Sequence, residues 1–257
     1  MKAYYAGSGV TIYHGYSLQV VQGLERSALV ITDPPYGDTS LGWDKRIDHW
    51  PAEIVRACLP NASLWCFGSL RMFYESDFSP WKLAQDIVWE KHNGSSFHAD
   101  RFKRVHEHVV QFYLGEWSSV YKSPVCSNDA TARTVRRKQR PPHMGEIDGG
   151  FYRSEDGGPR LETSVQYFRS CHGSAVHPTQ KPVDLIALLL KYSAAPGMTV
   201  LDPFMGSGST LVACKRFGIP AVGIEIDERY CEAAARRPKL VAQTDQWGRT
   251  AYVPVFA

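Results

Sequence analysis

Hydrophobic residues in the first half of the chain come in short runs that end at turn residues. The runs rich in β-branched and aromatic residues occupy residues 10–15, 29–37, 63–69, 86–91 and 108–115. Such runs, closed by Gly, Pro or Asp, predict strands. Between the second and third runs, residues 47–60 have apolar positions at helical spacing and end at Pro60, which predicts a helix.

Toward the end of the chain, predicted strands alternate with predicted helices. An amphipathic helix is predicted at 182–195, a strand with a glycine turn at 199–209, a helix at 210–218, a strand at 221–227 and a helix at 228–237. Strands that alternate with helices indicate an α/β fold with a doubly wound, mostly parallel sheet. Ligands of such sheets bind beyond the carboxyl ends of the strands, near the topological switch point.

Residues 116–172 have a different pattern, because they are polar, interrupted by Pro and Gly, and without sustained periodicity. A structureless loop of this length is unusual inside a compact domain, so the segment predicts an inserted recognition element. We therefore expect a catalytic domain made of residues 1–115 and 173–257, with residues 116–172 as the insertion.

Composition excludes some classes of protein. With 44% hydrophobic and 12% aromatic residues in 257, the chain can form a core and is not intrinsically disordered. The longest apolar run in the predicted helix at 182–195 has six residues, against about 20 for a membrane span, and the N-terminus lacks a signal-peptide pattern. Six cysteines without C-x-x-C pairs predict reduced, mostly buried thiols in a cytoplasmic protein.

The net charge of +3 averages two unlike parts of the chain. Residues 132–140 contain five positive side chains and no acid, whereas the remainder has 24 basic and 26 acidic residues. The five are Arg133, Arg136, Arg137, Lys138 and Arg140. Runs of this kind neutralise phosphates and indicate DNA binding, although a solvated surface is the ordinary alternative.

A glycine turn follows the predicted strand that begins at residue 199. Gly206 and Gly208 open the next helix, and Glu225 ends the next strand nineteen positions after Gly206. This layout predicts an adenosine-containing cofactor whose ribose contacts the acid. Both phosphate-binding patterns are incomplete, since no Lys follows Gly208 and Leu211 replaces the third glycine. S-adenosylmethionine, which has no pyrophosphate, is therefore favoured over NAD, and a turn without a ligand is the alternative.

The strand at residue 29 ends in Asp33, Pro34, Pro35 and Tyr36. Consecutive prolines have fixed φ angles and no N–H, so their carbonyls are held as acceptors without neighbouring donors. A carboxylate, a rigid carbonyl and an aromatic ring together suit an exocyclic amine on a flipped base. The alternative is a solvent-exposed Pro-Pro turn, in which Asp33 caps a helix.

Taken together, these two motifs resemble those of the DNA amino-methyltransferases. LVITDPPYG resembles the catalytic motif, VLDPFMGSGST the cofactor motif and AVGIEIDERY the strand with the ribose-binding acid. HPTQKPVDLIALLL (177–190) and RFKRVHEHVVQFYLG (101–115) are similar to further motifs of the family. The order of the motifs is that of its β group, which makes 116–172 the target-recognition region.

The resemblance implies transfer of a methyl group from S-adenosylmethionine to N6 of a flipped-out adenine in double-stranded DNA. N4 of cytosine is the alternative, because the same turn can hold either amine, although D-P-P-Y is the commoner adenine form. A non-catalytic DNA-binding module is the alternative from another class. The implied context is bacterial or phage-encoded, and a homodimer and a cognate restriction nuclease are left open.

The resemblance also assigns residues. Catalysis falls to Asp33, Pro34, Pro35 and Tyr36. The cofactor residues are Asp33, Thr179, Lys181, Asp202, Phe204, Gly206, Ser207, Gly208, Ser209, Glu225 and Ile226. Contacts to DNA are expected from Thr39, Trp43 and the five basic residues of 132–140. For His177 and Lys181 a solvated helix start is the alternative, and for Thr39 and Trp43 a surface loop.

Two further features complete the expectations. Tyr16 stands where the family commonly has an acidic residue. The runs His106-Glu107-His108 and Cys171, His172, His177 lack the spacing of zinc ligands, so no metal is expected. His106 and Glu107 are instead expected to form hydrogen bonds within the sheet or near the target base.

Overall fold

A computed structural model describes residues 2–37, 44–95, 100–136, 151–171, 173, 175, 177, 179–237, 240–244 and 250–254. The strands in these ranges are β1 (Tyr5–Gly7), β2 (Val10–His14), β3 (Ser27–Thr32), β4 (Cys58–Gly68), β5 (Lys82–Ser95), β6 (Arg104–Tyr113), β7 (Cys126–Ser127), β8 (Arg133–Arg136), β9 (Phe151–Ser154), β10 (Arg160–Leu161), β11 (Val165–Tyr167), β12 (Val200–Asp202), β13 (Ala221–Glu225), β14 (Leu240–Thr244) and β15 (Thr250–Pro254). The α-helices are α1 (Ser17–Val20), α2 (Trp50–Ile54), α3 (Leu70–Glu75), α4 (Val183–Ser193), α5 (Ser209–Arg216) and α6 (Glu228–Arg236).

Nine strands form one sheet in the order β1-β2-β13-β12-β3-β4-β6-β5-β11. The five from β2 to β4 are parallel to one another. Strand β6 runs antiparallel between β4 and β5, β1 is an antiparallel edge, and β11 adds to β5 in parallel. The prediction of a doubly wound, mostly parallel α/β sheet is therefore confirmed.

The core lies in two apolar layers, one on each face of the sheet. Leu29 and Ile31 of β3 pack in the layer that contains residues of α4, α5 and α6. Val30, between them, packs in the layer that contains residues of α1 and α2. Because both faces of β3 are covered, its sequence is a continuous apolar run and not an alternating one.

The helix predicted at 47–60 is confirmed only over residues 50–57 and is wrong at both ends. Helix α2 ends at Ile54, a 3-10 turn spans Val55–Ala57, and β4 begins at Cys58, which pairs with Ser27 of β3. The periodicity correctly marked the buried side chains, since Ile54, Ala57 and Cys58 are all buried. Pairing with β3, however, gives the chain backbone hydrogen bonds that override the local helical pattern.

Residues 124–163 form a compact unit of their own. Within it β8 pairs with β9, and β7 pairs with β10, in both cases antiparallel. The neighbouring residues 116–123 and 164–171 belong to the larger unit, where Val165 of β11 pairs with Val88 of β5. Strands β14 and β15 form an antiparallel hairpin.

Across the described parts of the chain, none of the helices combines the length and apolarity that a bilayer span requires. The six cysteines are free thiols, and Cys58, Cys66, Cys214 and Cys231 are buried.

Candidate active site

Three neighbouring parallel strands end at the same edge of the sheet. Asp33 directly follows β3, Asp202 ends β12 and Glu225 ends β13. A cavity of about 430 Å³ lies at this edge. Its volume falls in the range typical of small-molecule sites, and its position is the one that this class of sheet predicts.

The structure brings most of the predicted site residues together around this cavity. Those that line it are Asp33, Pro34, Pro35, Tyr36, Thr179, Lys181, Asp202, Phe204, Gly206, Ser207, Ser209, Glu225 and Ile226. The exception among the cofactor residues is Gly208, which packs against α6.

The structure describes two of the seven predicted DNA contacts. Thr39, Trp43, Arg137, Lys138 and Arg140 are outside the described residues. Arg133 and Arg136 lie on β8 in the unit formed by residues 124–163. Their contact with DNA stays a prediction.

The D-P-P-Y turn is held by a residue that the sequence analysis did not identify. The N–H groups of Tyr36 and Gly37 donate to one carboxylate oxygen of Asp44, at 3.0 and 2.9 Å. Asp44 is itself buried. A lone aspartate eight positions downstream carries no local signal for this role, because only the fold of the loop brings it back to the turn.

The two oxygens of the Asp33 carboxylate have different surroundings. Oδ2 accepts from Lys181 Nζ at 2.5 Å, whereas buried Oδ1 has no hydrogen-bond partner among the described residues. Burial raises the pKa of Asp33 to about 6, although Lys181 lowers it. Lys181 is thus a buried partner of Asp33 and not part of a solvated helix start.

Glu107 lies behind this pair. Its carboxylate forms a hydrogen bond with Lys91 of β5, and its second oxygen is 3.6 Å from Lys181 Nζ. The two flanking histidines belong to a different environment, where the His106 and His108 rings pack edge to face and His108 faces Asp86 at 3.5 Å.

The glycine turn is joined to the acid of β13. The N–H of Gly206, which has a φ of +50°, donates to Glu225 Oε2 at 3.0 Å. The N–H of Asp227 donates to Oε1 at 2.8 Å. These bonds join the turn to the end of β13, while the positive φ of Gly206 is what favours a glycine at that position. Each oxygen keeps a further lone pair, which is the capacity that binding of a ribose hydroxyl requires.

Gly208 has a packing role in the same turn. Its φ is +78°, and a Cβ added there would lie 2.8 Å from the Ala234 Cβ of α6. Ser207, between the two glycines, accepts from Arg237 Nη1 through its carbonyl at 2.7 Å. The turn is therefore fixed by α6 on the side away from the cavity.

Asp202 ties two of the strand ends together. It accepts from Thr32 Oγ1 at 2.8 Å and from the N–H of Phe204 at 3.2 Å. Burial raises its pKa to about 7, although these hydrogen bonds lower it. Its carboxyl fixes the ends of β3 and β12 beside the cavity.

His177 and Tyr230 form an aromatic wall of the cavity that the sequence analysis did not predict. Their ring centroids are 4.3 Å apart, and both rings line the cavity. Burial lowers the pKa of His177 to about 4, so its ring is neutral near pH 7. Tyr16, at the place of the family's usual acid, also lines the cavity. No polar contact of the Tyr16 side chain replaces that of the acid among the described residues.

Among the described residues, no three His, Cys, Asp or Glu side chains are arranged to hold a metal ion. His172, part of one weighed cluster, lies outside them.

A fold of this kind, with an acidic strand end, a glycine turn and a D-P-P-Y turn around one cavity, defines a class that binds an adenosine-type cofactor. The family model described as DNA methylase, covering N6 and N4 methyltransferases, matches residues 28–236. The chain therefore belongs to this family of DNA amino-methyltransferases, whose cofactor is S-adenosylmethionine.

Two curated relatives are Type II methyltransferases. M.HinfI of Haemophilus influenzae is 26% identical over 240 residues, which cover 81% of this chain and 62% of M.HinfI. M2.DpnII of Streptococcus pneumoniae is 24% identical over 274 residues, which cover 95% of each protein. The chain thus spans less than two thirds of the first relative and nearly all of the second.

Solved structures show the same fold. The complex of M1.HpyAVI with S-adenosylmethionine is 25% identical, with a TM-score of 0.60 over 89% of this chain and 99% of that one. The cytosine-N4-specific PvuII DNA methyltransferase is 16% identical, with a TM-score of 0.62 over 92% and 88% of the two chains.

The residues present fit S-adenosylmethionine. The cavity has the volume of a small-molecule site, and each oxygen of Glu225 keeps acceptor capacity for ribose hydroxyls beside its backbone donor. When bound, the cofactor supplies a methyl group on a sulfonium, with a neutral thioether as leaving group.

Proposed function

We propose that the chain methylates N6 of adenine in double-stranded DNA. The observation that carries this proposal is the D-P-P-Y turn, where Asp33 Oδ1 is a buried acceptor with no described partner at the edge of the cofactor cavity. An adenine amine has two hydrogens, and the turn offers two acceptors, Asp33 Oδ1 and the Pro34 carbonyl.

In this proposal each residue of the turn has one task. Tyr36 stacks on a base that leaves the helix at a cost of a few kcal/mol. Asp33 and Pro34 accept the amine hydrogens and draw the nitrogen lone pair out of conjugation with the ring. The nitrogen would attack the methyl carbon, whose bond to sulfur would break to leave a neutral thioether, and the methylated amine would then lose a proton to water. Because the leaving group is neutral, positioning supplies much of the acceleration.

Cofactor contacts are proposed for the other residues of the cavity. Glu225 would hold the ribose, while Thr179 and Lys181 would face the amino-acid end of the cofactor. Lys181 already binds Asp33, so it joins the two halves of the site.

The DNA would be contacted by the predicted insertion, residues 116–172, through the basic stretch at 132–140. The curated relatives are Type II methyltransferases. A cognate restriction nuclease is a further proposal, which co-expression of the two proteins would test. A homodimer is another, which light scattering would test.

Cytosine N4 is the second candidate, because the same acceptors fit that amine. Its support is the family model, which covers both N6 and N4 methyltransferases. Purified protein incubated with S-adenosylmethionine and unmethylated DNA, followed by a nucleoside digest, separates the candidates. We expect N6-methyladenine in the digest. If N4-methylcytosine were the only product, the choice of base would be wrong. If neither methylated nucleoside were found, the proposed activity itself would be wrong.

A variant pair tests the turn. Asp33→Ala should abolish methyl transfer yet keep calorimetric binding of S-adenosylhomocysteine, and neither protein should bind NAD. Asp86→Asn is the matched control, since it neutralises a carboxylate of β5 that does not line the cavity. Transfer that survives in Asp33→Ala contradicts the assignment.

A further inference from the structure

Lys91, Glu107, Lys181 and Asp33 form a chain of alternating charges that runs from β5 to the D-P-P-Y turn. Lys91 is hydrogen-bonded to Glu107, Glu107 lies 3.6 Å from Lys181, and Lys181 lies 2.5 Å from Asp33. The last two residues line the cavity, but Lys91 and Glu107 do not. Charges at such distances that are largely withdrawn from water interact strongly.

All four side chains are shielded from solvent. The exposed fractions are 21% for Lys91, 17% for Glu107, 6% for Lys181 and 18% for Asp33. Burying a charge is unfavourable unless partners compensate it, so four charges in sequence indicate a specific arrangement. The arrangement adds no net charge, since two cations face two carboxylates.

We propose that Glu107 and Lys91 are positioning residues that share Lys181 with Asp33 and thereby keep the Asp33 carboxylate a strong acceptor for the target amine. This inference rests on the proposed function of Asp33. Lys181 holds only Oδ2 of that carboxylate and leaves Oδ1 for the amine. Without Glu107, the Lys181 ammonium would attract only the Asp33 carboxylate. The stronger attraction would draw electron density from the Asp33 oxygens and weaken them as acceptors.

A proton relay along the same chain is less consistent with the charges. Burial lowers the pKa of Lys181, but Asp33 and Glu107 together raise it above the ordinary lysine value, so the ammonium keeps its proton. Burial raises the pKa of Glu107, but Lys181 and Lys91 bring it below its usual value. Lys181 and Glu107 therefore keep fixed charges. We call the set Lys91, Glu107, Lys181 and Asp33 the charge clamp.

The groups that face Asp33 come from five elements. They are Lys181 before α4, Glu107 on β6, Lys91 on β5, Cys66 on β4 and Asp202 on β12. Burial keeps the Cys66 thiol neutral by raising its pKa well above the usual value. Asp202 titrates near 7, so a direct readout of Asp33 is needed beside activity.

Carbon-13 NMR of the protein labelled at aspartate Cγ, without cofactor, supplies that readout. Asp33→Asn assigns the signal, whose midpoint in the unaltered protein should lie near pH 6. Glu107→Gln should lower the midpoint, because Glu107 raises the pKa of Asp33. Lys91→Met should raise it, because Lys91 lowers that pKa.

Two further variants control for folding. The double variant Glu107→Gln with Lys91→Met removes the outer pair together, keeps the charge balance and should return the midpoint close to pH 6. Asp86→Asn, on the same sheet but paired with His108, should leave the midpoint unchanged. In methyl-transfer assays Glu107→Gln should lower kcat about tenfold and leave KM for S-adenosylmethionine within twofold.

Midpoints that stay equal in Glu107→Gln and Lys91→Met, or that move in the same direction, would overturn the inference. The two hypotheses can fail separately. If the two variants shift the Asp33 midpoint in opposite directions but the unaltered protein transfers no methyl group, the proposed function is wrong and the charge clamp stands. Methyl transfer with unmoved midpoints would overturn the clamp alone.

Discussion

Replacement of Gly208 by alanine tests how the cofactor turn is held. Gly208 has a left-handed φ of +78°, and its added Cβ would meet the Ala234 Cβ at 2.8 Å and the Ala234 Cα at 3.4 Å. Both partners are backbone-proximal atoms of α6, so neither can rotate away. The turn or the helix must move.

The expected destabilisation has two parts. A left-handed conformation costs a residue with a Cβ about 1–2 kcal/mol, and overpacking a filled site costs about 1–3 kcal/mol. Together they predict a loss of about 2–5 kcal/mol in the free energy of unfolding. Gly218→Ala is the matched control, since its φ is +65° but no described atom lies within 4 Å of the added Cβ.

Urea unfolding of both variants measures the difference. Gly218→Ala should lose only the conformational part, about 1–2 kcal/mol, and should bind S-adenosylhomocysteine normally. In an Ala234→Gly background the effect of Gly208→Ala should fall to that same value, because the steric partner is gone. Equal losses in the two single variants, or no relief in the double variant, would refute the packing role of Gly208.

Three other predictions concern activity. The single-turnover rate of cofactor-loaded enzyme should rise with pH through about 6 and then level off, because the ionised Asp33 carboxylate is a stronger acceptor than the protonated carboxyl; a rate that is constant from pH 5 to 7 would contradict this. Arg237→Leu removes the donor to the Ser207 carbonyl and should weaken S-adenosylhomocysteine binding about tenfold by calorimetry. An unchanged Kd would show that this hydrogen bond does not hold the glycine turn for the cofactor. Replacing Arg136, Arg137, Lys138 and Arg140 with Gln should reduce the slope of log K against log salt for DNA by about 3–4, and an unaltered slope would remove the basic stretch from the interface.

The cavity could be predicted in outline from the sequence for a geometric reason. Asp33 and Glu225 each follow a strand, Gly206 follows another, and parallel strands end at one edge of the sheet. The strands themselves were recognisable because both faces of the sheet are buried, which gives continuous apolar runs such as the one in β3.

The parts that escaped prediction depend on register and on loop closure. A hydrogen bond of Glu107 within the sheet was expected, but its partner Lys91 was not, because that contact depends on the register of β5 and β6, in which Trp89 lies opposite Glu107. Asp44 meets the catalytic turn only after the loop folds back. The helix expected at 47–60 does not continue past residue 57 because Cys58 pairs with β3, a partner that local periodicity does not reveal.

The strand order has a consequence for how the polypeptide is made. Between β2 and β3, which are synthesised early, lie β13 and β12, the last strands of this sheet to be synthesised. Until residue 225 leaves the ribosome, both early strands have an edge without its final partner, and unpaired edges promote aggregation. The closing contacts join Leu29 to Val200 and Val10 to Ala221, separations that slow folding. A truncation near residue 199, which removes β12 and β13, should therefore yield insoluble protein when it is expressed beside the full-length chain.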